Sequence, residues 1–199
     1  MDVDVKPSGA PAVEQPQPAT TRDKLIVAAA EVFNEVGYWG TDSNRLARAA
    51  GYAPATFYKH FANKLEIFLA AFELRGAVEW DEIRNELAQP GAKGLERVVS
   101  VILKHHKQRI GLRHSLRALA ATDPIVRDLR RHQRGTELHQ MADLIEQTLG
   151  TRPTLERCFL AMLAVERTCD AIADGDADAL GLSEAALLNG LTEQLNALV

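Results

Sequence analysis

Between Gly51 and Lys64 the chain reads GYAPATFYKHFANK, and Tyr58, Lys59, His60 and Lys64 crowd hydrogen-bond donors into that short stretch. A phenol, two ammonium groups and an imidazole suit the gripping of an electron-rich partner better than the making of bonds. Bond-making chemistry has little else to draw on. The sequence contains no G-x-S-x-G, no Walker phosphate loop and no H-E-x-x-H, so the common signatures of a nucleophile, a nucleotide cradle and a zinc protease are missing. His105, His106 and His114 cannot converge from one helix, and His132 and His139 have no thiolate or paired carboxylate nearby. Neither a metal nor a cofactor is expected. Cys158 and Cys169 stand eleven residues apart on one predicted helix, about 16 Å at a rise of about 1.5 Å per residue, too far to bridge. They read as small buried apolar residues.

Charge isolates the same stretch. The 199 residues carry a net charge of −4, but residues 1–20 hold one Lys against three acids, 21–65 six Lys/Arg against four, and 66–199 sixteen against twenty. The segment containing the donors is the only positive one. Hydrophobic residues make up 46% of the chain, enough for one large domain or two smaller ones. No apolar run approaches the roughly 20 residues of a membrane span. The N-terminus lacks the basic-then-apolar order of a signal peptide, so a cytoplasmic protein without a membrane partner is expected.

Helices must position these donors. Residues 1–20 contain four of the eight prolines and no apolar periodicity, which predicts a disordered tail. Thr20 or Thr21 caps a first helix to about Val36, with Leu25, Ile26, Ala29 and Phe33 on one side. Gly37 stops it, Thr41 reads as the next N-cap, and a second helix runs to Ala50 before Gly51. Pro54 opens a short third helix ending near His60–Phe61, and Asn63 caps a fourth. Two helices about a tight glycine turn form either a helix-turn-helix or an ordinary helical hairpin; spacing alone leaves both open. Further helices are predicted at 64–88, 93–110, 112–121, 124–149, 153–174 and 183–198, with an acidic loop over 174–181. The fold class is all-α.

With residues 21–72 laid out together, the chain resembles the tetracycline-repressor (TetR) family of transcriptional regulators. The resemblance rests on Ala29, Ala30 and Phe33; Gly37-Tyr38; Thr41; Leu46-Ala47; Ala50-Gly51; and Thr56, Tyr58, His60-Phe61 and Asn63-Lys64. Ala53, Pro54 and Ala55 depart from the serine and glycine usual there, and Ser43 stands where an apolar residue is common. The family pattern implies a helix-turn-helix DNA-binding domain over 21–65 and a ligand-binding and dimerisation domain over 66–199. It implies a repressor, not an enzyme, that binds a palindromic double-stranded DNA operator as a homodimer and is released by a small-molecule effector.

Carried onto this sequence, Thr41, Tyr58, His60 and Lys64 are expected at phosphates, using side-chain donors and helix N-termini, and Asn44 is expected among the DNA-binding residues. Tyr52, Pro54, Ala55, Thr56 and Lys59 are expected at bases. Phe57 and Phe61 read as core, and Tyr38 and Trp39 read first as core, with a brace against the DNA backbone as the alternative. The last two helices are expected at the dimer interface, with Cys158 and a stripe of Leu187, Leu188, Leu191, Leu195 and Leu198; an intrachain core is the other reading of that stripe. The run KHHKQRIGLRHSLRAL, Lys104–Leu119, reads first as a solvated basic face. Its alternative is that His106, Arg109, Arg113 or Arg117 reaches a ligand cavity and meets an anion or a buried acid such as Glu166 or Asp170. Trp80, Met141, Phe159 and Met162 are the candidate apolar walls.

Overall fold

The computed structural model describes residues 20–91 and 93–198. The tail expected over residues 1–20 lies outside them apart from Thr20, as does the side chain of Leu198. Helix α1 (Thr21–Val36) starts at a reciprocal cap. Thr20 Oγ1 accepts from the Asp23 amide at 3.2 Å, and the Asp23 carboxylate accepts from the Thr20 amide at 2.9 Å. Gly37, at φ 72°, ends the helix in a conformation that a side chain would strain.

Helix α2 (Ser43–Ala49) is capped by Asp42, whose carboxylate accepts from the Arg45 amide at 2.8 Å. This corrects the cap expected at Thr41. A carboxylate serves that position better because it also meets the positive end of the helix dipole. Gly51, at φ 81°, then turns the chain, and the Tyr52 amide donates to the Ala47 carbonyl at 2.9 Å. Helix α3 (Pro54–Phe57) is a single turn, shorter than expected. Ala53 gives it no side-chain cap, and turn bonds from the His60 and Phe61 amides to the Phe57 carbonyl carry the chain onward. Helix α4 (Lys64–Ala88) begins at Asn63, whose side chain accepts from the Glu66 amide at 3.0 Å.

The body comprises α5 (Gly94–Gln108), α6 (Ile110–Thr122), α7 (Pro124–Leu149), α8 (Leu155–Ala173), a one-turn α9 (Asp176–Ala179) inside the segment expected as loop, and α10 (Glu184–Leu198). Only Arg109 separates α5 from α6. Gly111, inside α6, serves a close approach of two helices. A Cβ there would lie 2.0 Å from the Asn34 carbonyl oxygen, so α6 crosses α1 in near backbone contact. Among the described residues no helix is long and apolar enough to cross a membrane.

Two cores result. The first joins α1, α2, α3 and the start of α4 to Leu112, Leu116 and Leu119 of α6. Phe33, Phe57, Phe61 and Phe68 are its largest buried members, each worth roughly 1.5–3 kcal/mol of burial. Residue 65, the expected domain division, is followed at once by Ile67 and Phe68 of this core. The second core joins α5, α8, α9 and α10. Leu191 and Leu195 belong to it, Leu187 and Leu188 pack against it, and Cys158 is buried within the chain. Leu191, Leu195 and Cys158 are thus buried within the chain, while Leu187 and Leu188 keep part of their surface outside it. Their spacing serves α5 and α8 first.

Gly111→Ala is expected to lower stability by about 1–3 kcal/mol in denaturant unfolding through overpacking. Gly76→Ala, where a Cβ meets nothing within 4 Å in α4, should instead gain up to ~1 kcal/mol of helix propensity. Equal effects would mean that α6 yields freely against α1.

Candidate nucleic-acid interface and internal cavity

The turn between α2 and α3 is closed by fully buried Leu46, Ala47 and Phe57, which leave the rest of the segment outside. Asn44, Ala55, Tyr58 and Lys59 are exposed, and Tyr52, Pro54, Thr56 and His60 are half-exposed. Tyr58 is 61% exposed while the edge of its ring rests on Phe57, so its hydroxyl is held outward on a rigid base. Phe57 and Phe61 are core, as expected.

Lys64 and Thr41 take different places from those expected. The Lys64 ammonium donates to the carbonyls of Tyr38 at 2.7 Å and Thr41 at 2.8 Å, and lies 4.2 Å from the centre of the Tyr38 ring. Burial lowers its pKa and the nearby Asp42 carboxylate opposes that shift. Two of its three donors are spent on backbone, so Lys64 ties the α1–α2 turn to α4 rather than standing free for a phosphate. Thr41 is buried, and its hydroxyl has no hydrogen-bond partner among the described residues. Trp39, read as core, is 61% exposed because Tyr38 occupies the space against Phe33 and Phe68, leaving Trp39 edge-on to Tyr38. The Tyr38 amide donates to Ser115 Oγ of α6 at 2.9 Å, a link the sequence reading missed. Ser115 Oγ in turn donates to the Gly111 carbonyl at 2.9 Å.

Behind this surface, α4, α5, α7, α8 and α10 enclose an apolar cavity of about 410 Å³, with Trp80, Ile83, Ile102, Met141, Ile145 and Val165 in its wall. A smaller chamber of about 140 Å³ shares Trp80, Ile83, Ile102, Met141 and Val165, and adds Met162 and charge. Its charged lining is Glu79, His106, Arg109, Arg113, Arg130, Glu137 and Glu166. Phe159 is exposed on α8 and lies outside both, and Arg117 lines neither.

The basic run is thus largely an interior feature, contrary to the solvated face read first. His105, His106 and Arg109 are buried. Arg109 pairs with Glu79, and Arg130 and Arg134 both pair with Glu166, leaving Glu166 to α7 rather than to the run. Arg130 and Arg134, four residues apart and hence on one helix face, were the available signal for that pairing. Asp170 of α8 takes the run: His106 Nδ1 lies 2.9 Å away, Arg113 Nε donates at 2.9 Å and Arg117 at 2.5 Å. Burial by itself raises the Asp170 pKa, but the hydrogen bonds and charges of His106 and Arg113 hold it well below the usual carboxylate range. Burial and the neighbouring Arg109 keep His105 below its ordinary value against the opposing pull of Glu79 and Glu82; its Nε2 sits 3.2 Å from the Glu82 carboxylate, off the line of a hydrogen bond. Burial pushes the Cys169 thiol up to about 12, so it is inert.

A helix-turn-helix with outward donors, set on a helical body with a cavity, is an arrangement suited to holding nucleic acid at one end and a small molecule at the other. Residues 25–71 match the family of bacterial regulatory proteins, tetR family. Similar proteins include the HTH-type transcriptional regulator TcmR of Streptomyces glaucescens, 39% identical over 84 residues and covering 37% of each chain. The fatty acid metabolism regulator protein of Bacillus subtilis is 30% identical over 117 residues, 59% of this chain and 56% of that one. These alignments therefore span less than two thirds of those relatives. Solved structures share the fold over most of the chain. A TetR-family transcriptional regulator from Rhodococcus sp. superposes with a TM-score of 0.72 at 19% identity, covering 89% of this chain and 97% of that one. AibR, solved with isovaleryl coenzyme A and operator DNA, superposes at 0.56 and 16% identity, covering 88% and 98%.

Tyr58→Phe is expected to weaken binding to all DNA sequences alike without loss of stability, and Lys59→Ala to relax sequence preference at one position per half-site by about 1–3 kcal/mol. Lys64→Met should leave the salt slope unchanged while costing about 1–3 kcal/mol of stability through two orphaned carbonyls. Salt titrations of DNA affinity beside denaturant melts separate these outcomes. Asp170 carries its own pH signature. Its folded pKa is depressed, so its contribution is present above the ordinary value of 3.8 and is lost as pH falls through the folded one. Asp170→Asn should cost on the order of 3 kcal/mol at pH 7 by stranding buried cations. It should also flatten the acid limb of the stability–pH curve below about pH 4.

Proposed function

We propose that the chain is a one-component repressor that binds a palindromic double-stranded DNA operator as a homodimer and is released by a small-molecule effector held in the internal cavity. The observation that carries this reading is the double membership of α6. Leu112, Leu116 and Leu119 sit in the core of the DNA-binding helices, while Arg113 lines the charged chamber. Occupancy of the body and placement of the reader thus meet on one helix.

Residues 21–65 are assigned to reading. Tyr52, Pro54, Ala55, Thr56 and Lys59 face bases, and Asn44, Tyr58 and His60 face phosphates. Thr41 and Lys64 hold the turn behind them. One module reads only a few base pairs, and two-fold pairing doubles the site. For the second copy we assign the outer face of α8, where Leu155, Phe159 and Leu160 are 37%, 39% and 55% exposed. Such a row of large apolar residues is costly to leave in water. The effector is an amphipath. Its apolar body matches the 410 Å³ cavity, and a polar head reaches the neighbouring chamber. Acyl compounds come first among candidates, since the Bacillus relative is named for fatty acid metabolism and AibR was solved with an acyl coenzyme A.

The test is a mobility shift with DNA flanking the gene at 50 and 200 mM salt, repeated with decanoate and with decanoyl coenzyme A. One fragment should shift saturably, with affinity falling ~10³- to 10⁵-fold between the two salts if 6–10 phosphates are met. An acyl ligand should release it. Equal, weak shifts of every fragment would overturn the operator reading. A specific shift indifferent to both acyl compounds would overturn only the effector class.

A further inference from the structure

Helix α6 has two attachments of different kinds. Toward the DNA-binding helices it is fixed without slack. The absence of a Cβ at Gly111 brings it against the Asn34 carbonyl, and the Asn34 side chain bridges the Gln108 carbonyl at 2.7 Å and the Leu112 amide at 3.3 Å. Ser115 Oγ holds the Tyr38 amide at 2.9 Å, and the Tyr38 carbonyl in turn receives Lys64. Toward the body, polar ties to α8 are ionic. Asp170 receives Arg113 and Arg117, and Asp174 takes His114 Nε2 at 2.6 Å and Arg117 at 3.7 Å. His106 of α5 shares Asp170 Oδ1 with Arg113.

A contact between backbones cannot slide, whereas a guanidinium can change carboxylate partners with little rearrangement. Any shift of α6 against α8 therefore carries α1 and the Gly37–Thr41 turn with it. We infer that Asp170 is a latch: a positioning residue that sets α6 against the body and, through the Ser115–Tyr38 hydrogen bond, sets the turn from which α2 springs. Arg113 is the arm of the latch that lines the chamber. The inference rests on the regulator reading above for its consequence in DNA binding, but not for its mechanics.

Hydrogen exchange of the Tyr38 amide in the free protein, without DNA or ligand, tests those mechanics. Ser115→Ala removes the acceptor and should speed exchange at Tyr38 itself. Asp170→Asn, on a different helix, should also speed it, by an amount in the 5- to 150-fold range typical of coupling between sites. Because Asp170→Asn strands buried cations, Arg117→Gln, which removes a 39% exposed arm, provides the second variant and should act in the same direction. The Leu191 amide in the second core is the control: it reports any global loss of stability, and Tyr38 should be speeded beyond it in Asp170→Asn and without it in Arg117→Gln. If both variants melt cooperatively yet leave Tyr38 at the wild-type rate, or if they speed Leu191 equally, the latch is only local support and the inference falls. A wild-type protein that binds no DNA specifically would instead sink the proposed function and leave the exchange result standing.

Discussion

Helix α6 meets α1 at a point where no Cβ fits, and the other features of the molecule are arranged around that contact. It makes a body helix part of the core of the DNA-binding unit. It also places Ser115 where the Tyr38 amide would otherwise lack a partner at the end of α1. A buried amide left unpaired costs roughly what a hydrogen bond is worth, so the start of the α1–α2 turn takes its position from a residue 77 places along the chain. The surface offered to DNA is thereby referenced to the body.

The far side of α6 is built on the opposite principle. Arginines of α6 are matched there by Asp170, and beside them arginines of α7 by Glu137 and Glu166; Asp170 and Glu166 each serve two arginines. Pairs of this kind contribute little net stability compared with apolar packing, because desolvation offsets most of the attraction. Their use is geometric: each pair has a defined length and direction and can be exchanged for another. A rigid apolar seam on one side of a helix and an exchangeable ionic seam on the other make α6 the place where the two halves can move.

The DNA-facing side works with little charge. The 21–65 segment has only two positive charges in excess, and Lys64 spends its ammonium on backbone carbonyls. The polar groups it exposes wholly or in part include Tyr58, Thr56, His60 and Asn44, held on a frame of buried phenylalanines. This fits a module whose third helix is only one turn long and whose aim comes from the packing beneath it.

The sequence by itself determined the helices and the helix-turn-helix. Capping residues, Gly37, Gly51 and Gly150, and apolar spacing act over a turn or two, so α4 and α7 are found at Lys64–Ala88 and Pro124–Leu149 as spacing predicted. Only the tertiary structure decided what each helix face meets. The Arg/His run has the same spacing whether it faces water or Asp170, and 53 to 64 residues separate the partners. The leucines of α10 have the same stripe whether they bury against α5 and α8 or against a second chain. Thr41 and Asp42 are both competent caps, and Lys64 is as cationic on a carbonyl as on a phosphate. Periodicity states that a face is buried or charged, but not against what, because that depends on contacts between residues far apart in the chain.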